Sequence, residues 1–205
     1  MRTLVIETAT AACSVALLDG GQIVDARHEV VGRGHAERLL PMIAELAAGG
    51  RADAIRVDCG PGSFTGIRVG LAAARGLGLG WSVPVTGFSV LPLVAARAFA
   101  DRIDAGALAV VMEGGHGEVF VQRFDRPLRP HGTFASLTPD AALAMLPSDL
   151  LIVGDGVRHL DRQGRSIEQR HPRAADIVLL PGDVAALAPT PIYGRAPDAK
   201  LPGAR

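Results

Sequence analysis

The stretch Gly60-Pro61-Gly62-Ser63-Phe64-Thr65-Gly66-Ile67-Arg68-Val69-Gly70 follows an apolar run at residues 54–59 and opens a helix-compatible segment that reaches Trp81. A buried strand, a glycine-rich turn and a long helix, in that order, belong to an α/β protein. The turn presents free backbone N–H groups and the positive end of a helix dipole, so Gly62, Ser63 and Thr65 are candidates for holding an anion or phosphate. A tight turn with Ser63 as the helix N-cap fits the same residues. The stretch is not a Walker A loop, since no Gly-Lys-Ser/Thr follows. It also departs from the dinucleotide fingerprint, because Thr65 stands where the third glycine belongs.

Within the helix expected at residues 63–81, Gly66, Gly70, Ala74 and Gly78 recur at every fourth position and form a ridge almost without side chains. Each helical glycine costs roughly 1 kcal/mol against alanine, so close packing must offset it. Two readings are open. The ridge meets this chain's own helices, or it is a subunit interface shared with the helix that carries Leu39, Leu40 and Ile43. Spacing does not separate them.

Upstream, residues 3–7, 13–19 and 22–30 read as a three-stranded antiparallel meander turned at Gly20-Gly21. The connection through Thr8 and Thr10 is a second candidate phosphate loop. Leu39, Leu40, Ile43, Leu46 and Ala47 fall at helical spacing, and Gly49-Gly50 ends that helix. Pro41 either starts the regular part of it or kinks it. Downstream come a short strand at 84–86 and a helix opened by Ser89 and running through Ala100. A polar break at 101–106 follows, with the lobe boundary placed at 105/106. Strands at 107–112 and 118–124, a helix at 139–146, a strand at 150–153 and two weaker helical pieces complete the second half. The Pro-rich tail from Pro189 is expected to lie extended over the surface.

The chain has 205 residues, nearly half of them hydrophobic, with zero formal net charge; every basic residue but Lys200 is arginine. This balance is that of a globular protein and argues against unaided RNA binding, which rests on phosphate neutralisation. Cys13 and Cys59 read as small buried hydrophobes of a reducing compartment. No charged segment leads into a long apolar run, and no stretch approaches the ~18 apolar residues of a membrane span. A cytoplasmic protein is expected.

Metal chemistry finds no support in the residue spacing. The six histidines include no pair four residues apart, and neither His-Glu-x-x-His nor Cys-x-x-Cys occurs. Ser63 lacks a nucleophile-elbow context, and no catalytic set assembles. Glu7, Glu113 and Glu118 stand at strand ends, where acid–base groups can sit, though such residues commonly bond to turns.

Leu4-Val5-Ile6-Glu7-Thr8-Ala9-Thr10, Ala12-Cys13-Ser14-Val15-Ala16-Leu17, His35-Ala36-Glu37-Arg38-Leu39-Leu40-Pro41 and the run from Gly60 to Gly70 resemble the TsaB (YeaZ) family. Gly117-Glu118-Val119-Phe120, Gly154-Asp155-Gly156 and Pro191-Ile192-Tyr193 fit it too. The resemblance implies an actin/Hsp70-like (ASKHA) fold of two related lobes. It implies a non-catalytic subunit of the bacterial machinery that makes threonylcarbamoyladenosine in tRNA. The implied partners are the catalytic paralogue TsaD, paired through the early helices, and the ATPase TsaE. A homodimer through the same face is also implied, with tRNA met only in the complex. No cofactor is expected for the chain itself, and ATP or ADP only within the complex. On this reading the ridge of Gly66, Gly70, Ala74 and Gly78, with Arg68, Leu39, Leu40 and Ile43, becomes the partner face. Two departures stand out: Glu7 replaces the usual Asp, and Glu113-Gly114-Gly115-His116 replaces Asp-Ala-Arg-Arg. A longer carboxylate disturbs a phosphate-loop magnesium site, and lost basic residues weaken a phosphate loop. An active phosphotransferase of the same fold, and a metallopeptidase, are the alternatives.

Overall fold

Strand β1 (Arg2–Glu7) is apolar from Leu4 to Ile6 because it lies at the centre of a sheet covered on both faces. In the computed structural model, which describes residues 1–162 and 164–194, it pairs antiparallel with β2 (Ala12–Asp19) and parallel with β4 (Ala54–Asp58). The outer strands β3 (Gln22–Val30) and β5 (Val85–Phe88) complete the order β3-β2-β1-β4-β5.

A second sheet repeats the plan. Strands β6 (Ala107–Gly115), β7 (Glu118–Asp125) and β8 (Arg129–Leu137) form an antiparallel meander. Strands β9 (Leu151–Gly154) and β10 (Ile167–Gln169) add in parallel on its other side, giving β10-β9-β6-β7-β8. In both sheets the first strand of the meander is central and the later two strands run parallel to it. This duplicated topology is the two-lobed actin/Hsp70-like architecture.

The helices differ between the lobes. In the first, α1 (His35–Ala44) follows the meander and α2 (Phe64–Trp81) follows β4. In the second, α4 (Pro139–Met145) takes the first position, and a single 3-10 turn at Gly156–His159 takes the second. Helix α3 (Val90–Asp101) is apolar nearly all round because it is wedged between the sheets. Leu91, Val94, Ala98 and Phe99 join one core cluster with Leu108, Val110 and Met112 of β6. Leu93 and Ala96 pack instead with Val5, Ala16 and Ile177 beneath the first sheet.

Three elements depart from the sequence expectations. Helix α1 continues on both sides of Pro41, which is exposed, and ends at Ala44 rather than near Ala47. The chain then turns through a 3-10 segment at Ala47–Gly50, where Gly50, at φ 71°, leaves no room for a side chain beside Ile43. Strand β8 was not expected, since Pro130, Gly132 and an outward polar face are features an edge strand tolerates but does not advertise. Strand β10 is a three-residue edge below the length that periodicity reveals. The boundary placed at 105/106 falls between the two sheets. The 3-10 segment Ala174–Leu179 and residues 185–194 nevertheless return to pack on the first sheet.

Candidate functional site

Adjacent parallel strands β1 and β4 end in carboxylates, Glu7 and Asp58, one residue beyond the Ile6–Val57 pair. Both are fully buried. The Ala9 N–H donates to Glu7 Oε1 at 2.8 Å, and the Gly60 N–H donates to Asp58 Oδ1 at 3.1 Å. The second oxygen of each carboxylate has no hydrogen-bond partner. Burial raises the Glu7 carboxyl well above its usual range, and the nearby Asp58 charge raises it further. Burial lifts Asp58 to about 7, against the two backbone N–H groups that favour its charged form. In the second lobe Asp155 follows β9 and accepts from the Glu113 N–H at 3.0 Å; burial raises it too.

The loops that would cradle phosphate are occupied by the chain itself. The Thr8 hydroxyl donates to the Gly66 carbonyl at 2.8 Å. Thr10 Oγ1 accepts from the Ala12 N–H at 3.1 Å, and the Ser63 N–H donates to the Ala9 carbonyl at 2.6 Å. Ser63 is the N-cap of α2, its hydroxyl accepting from the Gly66 N–H at 3.3 Å. A Cβ on Gly62 would collide with the Ala9 carbonyl, so this glycine serves close backbone approach. Ser63 and Thr65 are the two exposed residues among the five candidate phosphate residues. The Gly154-Asp155-Gly156 turn is likewise pressed onto β6, where side chains at either glycine would strike the Val111 or Met112 backbone.

The ridge of Gly66, Gly70, Ala74 and Gly78 is turned inward, which corrects its assignment as a partner face. All four residues are buried. Side chains at Gly66 and Gly70 would strike Thr8, and one at Gly78 would strike Val85. The absent side chains let α2 lie directly against the end of β1 and against β5, while the helix also packs on β4 and α1. Leu39 and Ile43 also belong to the core. Of the residues proposed from the sequence for that face, Leu40 and Arg68 reach the surface.

The outer faces of α1 and α2 carry a pattern that sequence reading missed. Ala36, Leu40 and Ala44 on α1, and Ala72, Gly76 and Gly80 on α2, are exposed at four-residue spacing. Leu40 is 52% exposed, Phe64 55% and Leu79 84%. Among the described residues, nothing outside the helix's own backbone and the adjoining residues lies within 4 Å of a Cβ placed on Gly76 or Gly80. The i, i+4 recurrence of 72, 76 and 80 was visible in the sequence, but it shares its spacing with the buried ridge, and spacing alone does not say which row faces in.

Histidine works structurally here: buried His35 contacts the Ala12 carbonyl through Nε2 at 3.0 Å and ties α1 to β2. Burial pushes the Cys13 and Cys59 thiols up to about 12. Among the described residues no group of three His, Cys, Asp or Glu is arranged to hold a metal ion, and no helix is long and apolar enough to cross a membrane.

Known proteins resemble this chain over most of its length. The family model for TsaD, tRNA N6-adenosine threonylcarbamoyltransferase, matches residues 24–141. The tRNA threonylcarbamoyladenosine biosynthesis protein TsaB of Escherichia coli K12 is 37% identical over 168 residues, covering 76% of this chain and 72% of that protein. An uncharacterised Mycobacterium tuberculosis protein is 31% identical over 206 residues, covering 96% of this chain and 93% of its own length. Among solved structures, YeaZ from Pseudomonas aeruginosa, 28% identical, matches with a TM-score of 0.78 over 94% of this chain and 100% of its own. The chain belongs to the TsaB (YeaZ) family of tRNA threonylcarbamoyladenosine biosynthesis proteins.

Proposed function

We propose that this chain is a non-catalytic pairing subunit for threonylcarbamoyladenosine synthesis, docking the transferase TsaD through the outer faces of α1 and α2. The exposed row of Ala72, Gly76 and Gly80 carries the proposal. Glycine inside a helix is unfavourable, and nothing among the described residues uses the space left at Gly76 and Gly80. A facing helix would use it, since small residues let two helices approach closely. Exposed Leu40 and Leu79 supply apolar contact beside that row. TsaE joins the assembled pair, tRNA is met only there, and any ATP or ADP binds only in the complex. A second copy of this chain is the competing occupant of the same face.

The phosphotransferase reading is disfavoured by the Thr8–Gly66 and Ser63–Ala9 bonds, which fill the loop a phosphate would need. Light scattering coupled to size-exclusion chromatography, on this chain alone and mixed with TsaD from the same organism, tests the proposal. A one-to-one species that Leu79→Asp abolishes is the expected result. Independent elution of the two proteins, with and without nucleotide, would sink it. ATP binding by the isolated chain at micromolar affinity would favour the phosphotransferase instead.

A further inference from the structure

We infer that Tyr193 holds Arg68 ready to bind a carboxylate of the partner on the outer face of α2, so that the C-terminal strap sets the strength of pairing. The inference rests on the pairing proposed above and names the residues and chemistry it uses. The strap begins beside β5, where Gly87 and Leu187 exchange backbone hydrogen bonds of 2.7 and 2.8 Å. It is fastened again by the Ile192 N–H on the Cys59 carbonyl at 2.7 Å and by Arg75 Nη2 on the Pro189 carbonyl at 2.7 Å. These anchors deliver Tyr193 to the first turn of α2, its ring centroid 5.7 Å from that of Phe64.

Arg68 lies between them. Its Nε and Nη2 donate to the Tyr193 hydroxyl at 3.3 and 3.2 Å, and its guanidinium carbon sits 3.5 Å from the centroid of the Phe64 ring. Both rings remain about half exposed, at 55% for Phe64 and 48% for Tyr193. Elsewhere Arg38, Arg97, Arg102, Arg158 and Arg170 each pair with a carboxylate. Arg68 has none among the described residues, and α2 contains no acidic residue.

An arginine fixed between a ring and a hydroxyl has already lost the freedom that binding would otherwise cost, while its charge stays unneutralised. Its planar fork matches a carboxylate, and tyrosine and arginine dominate the strong contacts of protein interfaces. Position supplies the remaining argument. Arg68, Ala72, Gly76 and Gly80 form a single row at four-residue spacing, so a helix packed on the small residues passes over the guanidinium. The partner helix therefore carries an Asp or Glu at the end of its contact.

The test measures affinity of the full chain for TsaD by titration calorimetry at low and high salt, with Tyr193→Phe, Arg68→Gln and the double variant. Tyr193→Phe keeps the ring and removes only the hydroxyl. It should weaken pairing roughly three- to ten-fold, the scale of one ordinary hydrogen bond, without lowering the thermal midpoint. Arg68→Gln should weaken pairing further and flatten its salt dependence. The double variant should be no worse than Arg68→Gln alone. Unchanged affinity in Tyr193→Phe, or additive effects of the two substitutions, overturns the inference while pairing stands. If Tyr193→Phe loosens the fold, the salt dependence of Arg68→Gln decides, and an unaltered slope overturns the inference. A wild-type chain that does not bind TsaD overturns the pairing reading and this inference with it.

Discussion

The Thr8 hydroxyl donates to the carbonyl of Gly66 across 2.8 Å, fixing the first turn of α2 onto the end of β1. The same Thr8 oxygen occupies the space a side chain on Gly70 would need. Gly70→Ala should therefore destabilise the fold by about 1–3 kcal/mol, the usual cost of overpacking. Thr8→Ala frees that space at the expense of one buried hydrogen bond. The double variant should lose less stability than the two single changes summed, measured by urea denaturation. Additive losses would show that Gly70 does not sense Thr8.

Gly76 makes the opposite prediction, although it lies only six residues further on. Among the described residues a Cβ there meets nothing within 4 Å outside its own helix, so Gly76→Ala should stabilise the isolated chain by roughly 0.5–1 kcal/mol through helix propensity. Gly76→Arg should leave the thermal midpoint nearly unchanged and abolish co-elution with TsaD. Normal co-elution of Gly76→Arg would move the pairing face away from this row.

The contrast between Gly70 and Gly76 also shows where sequence reading stops. The meander, the strand–turn–helix around Gly60 and the Ser63 cap were all legible, because periodicity and turn chemistry are local. Which row of small residues on α2 faces inward is decided by Thr8, 58 residues before Gly66 in sequence, and by Val85 on the strand that follows the helix. The buried carboxylate pair was half legible. Glu7 stood out at a strand end, but Asp58 became its neighbour only through the parallel pairing of β1 and β4. Polar edge strand β8 and short β10 lacked the alternation that would have announced them.

Glu7 and Asp58 give the fold a pH dependence whose sign follows from their raised pKa values. Their ordinary values are 4.5 and 3.8, and Asp58 titrates near 7 in the folded chain. The folded state thus holds protons that the unfolded state releases across this interval. The contribution of these two groups to stability is greatest at the acid end, falls as pH rises from about 4 through 7, and continues to fall until Glu7 has also titrated. Glu7→Gln keeps the oxygen that accepts from Ala9 and places an amide beside the Asp58 carboxylate. It should raise stability at pH 8 by about 1–3 kcal/mol, with roughly 2–4 °C in thermal midpoint per kcal/mol, and reduce the slope. Midpoints recorded by calorimetry from pH 5 to 8 check this; a slope unchanged by Glu7→Gln would locate the dependence elsewhere.

Arg126 joins the lobes at the end of α3, whose last turn carries no basic residue. The last turn of that helix leaves carbonyls unsatisfied, as every helix end does. Arg126, from the turn between β7 and β8, donates Nη2 to the Phe99 and Arg102 carbonyls, both at 2.8 Å, and Nε to the Ala105 carbonyl at 2.9 Å. Its guanidinium carbon also lies 4.9 Å from the centroid of the Phe99 ring. A lysine would bring the charge but not the fork that reaches three carbonyls at once. Arg126→Lys should accordingly cost about 1–2 kcal/mol and Arg126→Met about 2–3 kcal/mol, both read from denaturant midpoints at constant slope. Because Arg126 grips the end of the helix packed between the two sheets, the loss should appear as one cooperative transition at lower denaturant. Separate unfolding of the second sheet in Arg126→Met would show instead that this arginine couples the lobes without stabilising either.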